Sequence, residues 1–88
     1  MIPIIVHNDD MFDLFVDLVD LNTATPNAVL SGARLNVDQS MPVAVQEDGG
    51  NQANVAWTAT RADDASIVKS GTEQIGMNAI VDIDVFGA

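Results

Sequence analysis

The sequence predicts an all-β protein, a single antiparallel β-sandwich of about seven strands of the Ig-like or Greek-key and jelly-roll type. Three observations predict it. Val and Ile together supply 18 of the 88 residues, and branched side chains suit a pleated, half-buried surface better than a helix. The acidic residues are eleven Asp against two Glu, and Asp competes with the helical backbone and prefers turns and caps. Short runs of alternating apolar and polar residues recur between Gly, Asn and Asp clusters, the spacing of a small sandwich. A chain of this length builds one core and one domain, 1–88.

The first predicted strand runs from Ile2 to His7, ended by the polar turn Asn8-Asp9-Asp10. Phe12 to Leu21 reads as a strand with Phe12, Leu14, Val16 and Leu18 on one face. A helix there would align Asp13, Asp17 and Asp20 behind an Asp cap, but Phe, Val and Asp all weaken a helix interior. Asn22 to Asn27 is a loop, because the residue before Pro26 is pushed out of the helical region. Ala28 to Leu30, Ala33 to Val37 and Met41 to Gln46 read as short strands, with Pro42 at an edge because it donates no ladder hydrogen bond. Glu47-Asp48-Gly49-Gly50-Asn51-Gln52 is the strongest hairpin signal, with Asp-Gly-Gly expected to supply the positive φ of a tight reversal. Its second arm, Ala53 to Thr60, places Ala53, Val55, Trp57 and Ala59 inward, and Trp57 reads as core rather than as a sugar platform. Ser66 to Ser70 is a short strand, Gly71 to Gly76 an irregular connection, and Asn78 to Phe86 the last strand, with Ala79, Val81, Ile83 and Val85 inward.

Composition excludes several functions. The net charge of −10 repels nucleic acid and anionic lipid, whose recognition needs Lys and Arg clusters. No apolar run approaches the ~20 residues of a membrane helix, and the N-terminal segment lacks the basic region and cleavage site of a secretory signal. No cysteine is present, which removes thiol nucleophiles and thiolate metal sites. His7 is the lone imidazole, and Ser31, Ser40, Ser66 and Ser70 stand in no Gly-x-Ser-x-Gly elbow, so the chain reads as a non-enzyme. Asp82 and Asp84 share one strand face roughly 6.5–7 Å apart, as an i, i+2 pair must; a solvated face explains them.

Three functional readings survive. The first is a self-assembling structural subunit of a filament, tube, shell or virion surface. Its basis is an apolar surplus on faces that should be wet, and it assigns subunit contacts to Ile2, Ile4, Ile5, Phe15, Val19 and Ile80, with the N-terminal strand donated to a neighbour's sheet edge. The second is a module for ligand or carbohydrate whose loop carboxylates Asp9, Asp10, Asp48, Asp63 and Asp64 hold calcium, a cation that wants six to eight oxygens. The third is a small acidic inhibitor of a basic protein partner, presenting Asp9, Asp10, Asp13, Asp17 and Asp20. No other cofactor is expected.

Overall fold

A computed structural model describes residues 1–88, folded into seven strands and no helix. The strands are β1 (Ile2–Asn8), β2 (Leu14–Asp20), β3 (Asn27–Leu35), β4 (Ser40–Val45), β5 (Ala53–Arg61), β6 (Asp64–Ile75) and β7 (Ile80–Ile83). They form a three-stranded sheet in the order β4-β1-β7 and a four-stranded sheet in the order β3-β2-β5-β6. The two pack face to face as a sandwich 39 × 23 × 20 Å.

Period-2 alternation sorts the side chains. Ile2, Ile4 and Val6 of β1, Leu14, Val16 and Leu18 of β2, Val55, Trp57 and Ala59 of β5, and Val81 and Ile83 of β7 form one buried core. Segment 12–21 is thus a strand in its middle, Leu14–Asp20, and the helical alternative does not occur. Packing decides this: a helix would turn Val16 away from the face shared by Leu14 and Leu18, whereas the strand buries all three together.

Four features depart from the sequence expectation. One strand pair is parallel, β1 beside β7, because β7 returns from the far sheet by a crossover instead of a hairpin. The segments 28–30 and 33–37 are one strand, β3, with register shifts opposite Val16, Leu18 and Val19. Gly32 takes φ +63° there and its N–H donates to Asp17 Oδ1 at 2.6 Å, so a bulge rather than a turn occupies Ser31-Gly32. The expected 47–52 hairpin is instead a turn between the two sheets, since β4 and β5 do not pair and only the bridge Glu47–Ala53 closes it; its left-handed φ belongs to Asn51 (61°) rather than to Gly49 or Gly50, since Asn tolerates that region by bonding locally. Finally, the expected irregular stretch 71–76 continues β6 into the longest strand of the molecule, and β7 is only four residues long.

Three polar residues are buried, Asn8, Asp10 and Asp20, and each fastens backbone from another element. Asn8 Nδ2 donates to Leu35 O and Phe12 O, both at 2.9 Å, while its Oδ1 accepts from Asp10 N at 2.8 Å. Asp10 accepts from Met11 N and Val85 N. Asp20 accepts from Asn22 N and from Gln46 N, which follows β4 in the facing sheet. Asp10, expected as a calcium ligand, and Asp20, expected on an acidic presenting surface, are therefore internal clasps, where crossing loops leave backbone N–H groups without a ladder partner.

Candidate interaction face

The outer face of the three-stranded sheet carries an uncharged apolar row. Its register places Ile5 of β1 between Pro42 of β4 and Ile80 of β7. Pro3 and Ala44 form the adjoining row. Pro3, Pro42 and Ala44 are exposed, Ile5 is half-buried, and Ile80 is 55% exposed. None of the five carries charge. The next row is polar: His7 lies between Ser40 and Asp82.

Of the six residues expected at subunit contacts, the fold brings only Ile5 and Ile80 together. Phe15 and Val19 lie on the outer face of the other sheet, where Phe15 stands beside Arg34, whose guanidinium is 5.7 Å from the ring centre. Val19 is half-buried, flanked by Ala28 and Ala56. Across β5 and β6 that face mixes exposed Val68 with polar residues, among them Thr58 and Ser70, bonded to each other at 3.1 Å. Ile2 and Ile4 require correction: both are core residues and present nothing to a neighbour. The donated N-terminal strand requires it too. β1 is the central strand of its sheet and pairs on both edges, so its backbone groups are already used.

The five carboxylates grouped as calcium ligands do not converge. Asp10 is a buried clasp. Asp48 accepts from Gly50 N and Gln52 N inside its own turn. Asp63 accepts from Arg61 through two guanidinium nitrogens, and Asp64 accepts from Ser66. The acidic stretch from Asp9 to Asp20 likewise forms no continuous negative surface: Asp10 and Asp20 are buried, Asp13 holds Arg34 and Val37 N, and Asp17 holds Gly32 N.

Asp9 meets different partners. Its carboxylate, that of Asp82 and an imidazole nitrogen of His7 lie within 4.8 Å of one another. His7 Nδ1 bonds Ser40 Oγ at 2.8 Å, and Nε2 is 3.9 Å from Asp38 Oδ1. All three basic side chains are engaged elsewhere, Arg34 with Asp13, Arg61 with Asp63 and Lys69 with Asp84. One imidazole and two carboxylates form a ligand set suited to a borderline divalent ion rather than to calcium. The parallel pairing of β1 with β7 creates this set, and no linear spacing signals it.

A shallow cavity of about 330 Å³ opens between the turns at Met11–Asp13, Arg34–Val37 and Ala62–Asp63. Arg61 lies 3.7 Å over the Phe12 ring beside it. Both guanidinium groups at this cavity are neutralised by Asp13 and Asp63, which leaves no free cation for an anionic ligand.

Several carboxyls are held below their ordinary range. Asp13 is lowered by its hydrogen bonds from Arg34 and Val37 N, Asp48 by Gln52 N, Gly50 N and Asn54, Asp63 by Arg61, Asp64 by Ser66, and Glu47 by the N-terminal ammonium. A lowered folded pKa stabilises the fold above the unfolded value and is lost as pH falls through the folded one. Titration toward the isoelectric point of about 4.1 also relieves mutual repulsion. The denaturation midpoint should therefore rise from pH 7 toward pH ~5 and fall below pH ~4, where these carboxylates protonate. A midpoint still climbing at pH ~3 would show that repulsion outweighs the carboxylate hydrogen bonds.

Compared with protein-family models, with curated proteins and with solved structures, the chain matches none. The functional reading rests on geometry.

Proposed function

We propose that the chain is a non-enzymatic structural subunit that associates with copies of itself. The observation that carries this is the uncharged row Pro42–Ile5–Ile80 on the outer face of the smaller sheet. A copy carrying −10 is repelled over most of the surface, and an uncharged apolar face is where like-charged subunits can meet. A basic partner, by contrast, would seek carboxylates, which this row lacks. The acidic remainder keeps free subunits soluble. A filament, tube, shell or virion surface is the kind of assembly that such a subunit builds when its contacts do not close on themselves.

The test is mass in solution by light scattering after size exclusion, across a concentration series, in chelator and again with calcium or zinc. Wild type should run above its monomer mass of 9.3 kDa, and Ile80→Asp should shift it toward monomer without changing the melting temperature by more than about 2 °C, as expected at an exposed site. A monomer under every condition removes the reading. Association that appears only with a divalent ion would favour instead a cation-dependent binding module centred on His7, Asp9 and Asp82. Deleting residues 1–6 is no test, because it removes the central strand.

A further inference from the structure

The four edge strands of the sandwich are unequally protected. β3 is interrupted by its bulge, β4 contains Pro42, and β7 is four residues long; bulges, prolines and shortness are the usual guards against edge pairing. β6 is the least guarded: it is twelve residues long, has no Pro and pairs only with β5, and its one register shift is confined to its start, between Asp64 and Val68, so that the pairing is unbroken from Val68 to Ile75. No backbone hydrogen bond outside the sheet reaches residues Ile67 to Ile75.

Their order is Ile67-Val68-Lys69-Ser70-Gly71-Thr72-Glu73-Gln74-Ile75. About Gly71 the sequence is self-complementary when read antiparallel: Ile67 falls opposite Ile75, Lys69 opposite Glu73 and Ser70 opposite Thr72. Side-chain direction is matched as well. Ile67, Lys69, Gly71, Glu73 and Ile75 are the half-buried positions of β6, and Val68, Ser70, Thr72 and Gln74 the exposed ones. A two-fold axis through Gly71 pairs each set with itself, as a strand period of 2 requires.

We infer that two copies of the chain join through β6, antiparallel about a two-fold axis at Gly71, so that Lys69 of each copy meets Glu73 of the other. The inference rests on the self-association reading and adds a second, closed contact to the face described above. The pairing extends each four-stranded sheet into one of eight strands, satisfies the free edge on both copies, and places two opposite-charge pairs and two Ile pairs across the seam. The Glu73 side chain makes no ion pair or hydrogen bond within its own chain. Lys69 Nζ bonds Asp84 at 2.8 Å and has two further protons to donate.

The pairing predicts an outcome that general charge effects do not. Lys69→Glu sets Glu opposite Glu in the homodimer, and Glu73→Lys sets Lys opposite Lys. Mixed together, the two variants are complementary at both pairs. By sedimentation velocity, each variant alone should raise the dimer dissociation constant about tenfold or more relative to wild type, and the equimolar mixture should recover wild-type association. Glu73→Lys reduces the magnitude of the net charge, from −10 to −8, so relief of overall repulsion would strengthen its association; weakening there requires the local contact. The Glu73 side chain has no intramolecular partner, which keeps this variant folded even if Lys69→Glu, having lost Asp84, is not. Unchanged association in Glu73→Lys, or a mixture of folded variants that fails to recover, overturns the inference. If Ile80→Asp disrupts assembly while the charge variants do not, the apolar face stands and the β6 axis falls. A wild type monomeric at all concentrations overturns both.

Discussion

Replacing Asn8 with Ala should cost about 3 kcal/mol, the largest loss expected from a single small substitution outside the apolar core. Asn8 is fully buried at the end of β1 and makes three hydrogen bonds: two donated to the carbonyls of Phe12 and Leu35, one accepted from the amide of Asp10. Ala removes all three and leaves the buried Leu35 carbonyl, the buried Asp10 amide and the partly buried Phe12 carbonyl to find water or stay unpaired, which is the expensive case. The lost bonds also free the turn holding Asp10, whose carboxylate accepts from Val85 N and anchors the C-terminal segment. In a domain of this size the melting temperature should drop by roughly 12 °C or more. Asn8→Asp separates the terms: it keeps volume and the acceptor but removes both donated bonds and buries a charge, and it should be at least as damaging. Urea denaturation of the two variants measures this, and a loss below about 1 kcal/mol would mean that water replaces the side chain without strain.

Gly71→Val should cost about 2 kcal/mol for a different reason, overpacking. A Cβ at Gly71 would sit 2.7 Å from Cε2 and Cζ2 of Trp57, well inside contact distance. Gly71 pairs with Trp57 across β5 and β6, and the indole fills the space that a side chain would take, an arrangement that compensates a glycine in a strand. The indole is buried, and its Nε1 has no hydrogen-bond partner, so apolar contact of the ring outweighs the orphaned N–H. The cost of Gly71→Val should shrink to less than about 1 kcal/mol in a Trp57→Leu background, since the clash is then gone. A double-mutant cycle by chemical denaturation gives the coupling. Equal costs in both backgrounds would place the penalty in the backbone rather than in the ring.

Gly71 also shows why part of the fold is illegible in the sequence. A glycine flanked by Ser and Thr looks like a break in a linear reading, and its partner is fourteen positions away; only the closed hairpin reveals that Trp57 covers it. The same holds for Asp10 and Asp20. As letters they belong to an acidic run, and their burial depends on backbone N–H groups at Val85 and Gln46 that the chain brings back from distant loops. Of the candidate surface, Ile5 and Ile80 were visible as apolar residues out of phase with the core. Their adjacency required the parallel pairing of β1 with β7, which no short-range signal encodes. Ile2 and Ile4 share the parity of Val6 and face the core, whereas Ile5 has the opposite parity and faces outward.

What the sequence by itself determined is the fold class and the core. Val and Ile content, Asp-rich turns and the alternation in Leu14–Asp20 and Ala53–Arg61 suffice, because side-chain direction in a strand is local and a wrong face would expose Val16, Val55 and Trp57 to water. The tertiary structure alone decided which edges remain open and which carboxylates have partners. It also decided that His7, Asp9 and Asp82 meet and that β6 runs unbroken past Gly71. Those outcomes depend on strand order and on hydrogen bonds between residues far apart in the chain, and such pairings are selected by the packing of the whole sandwich rather than by any one segment.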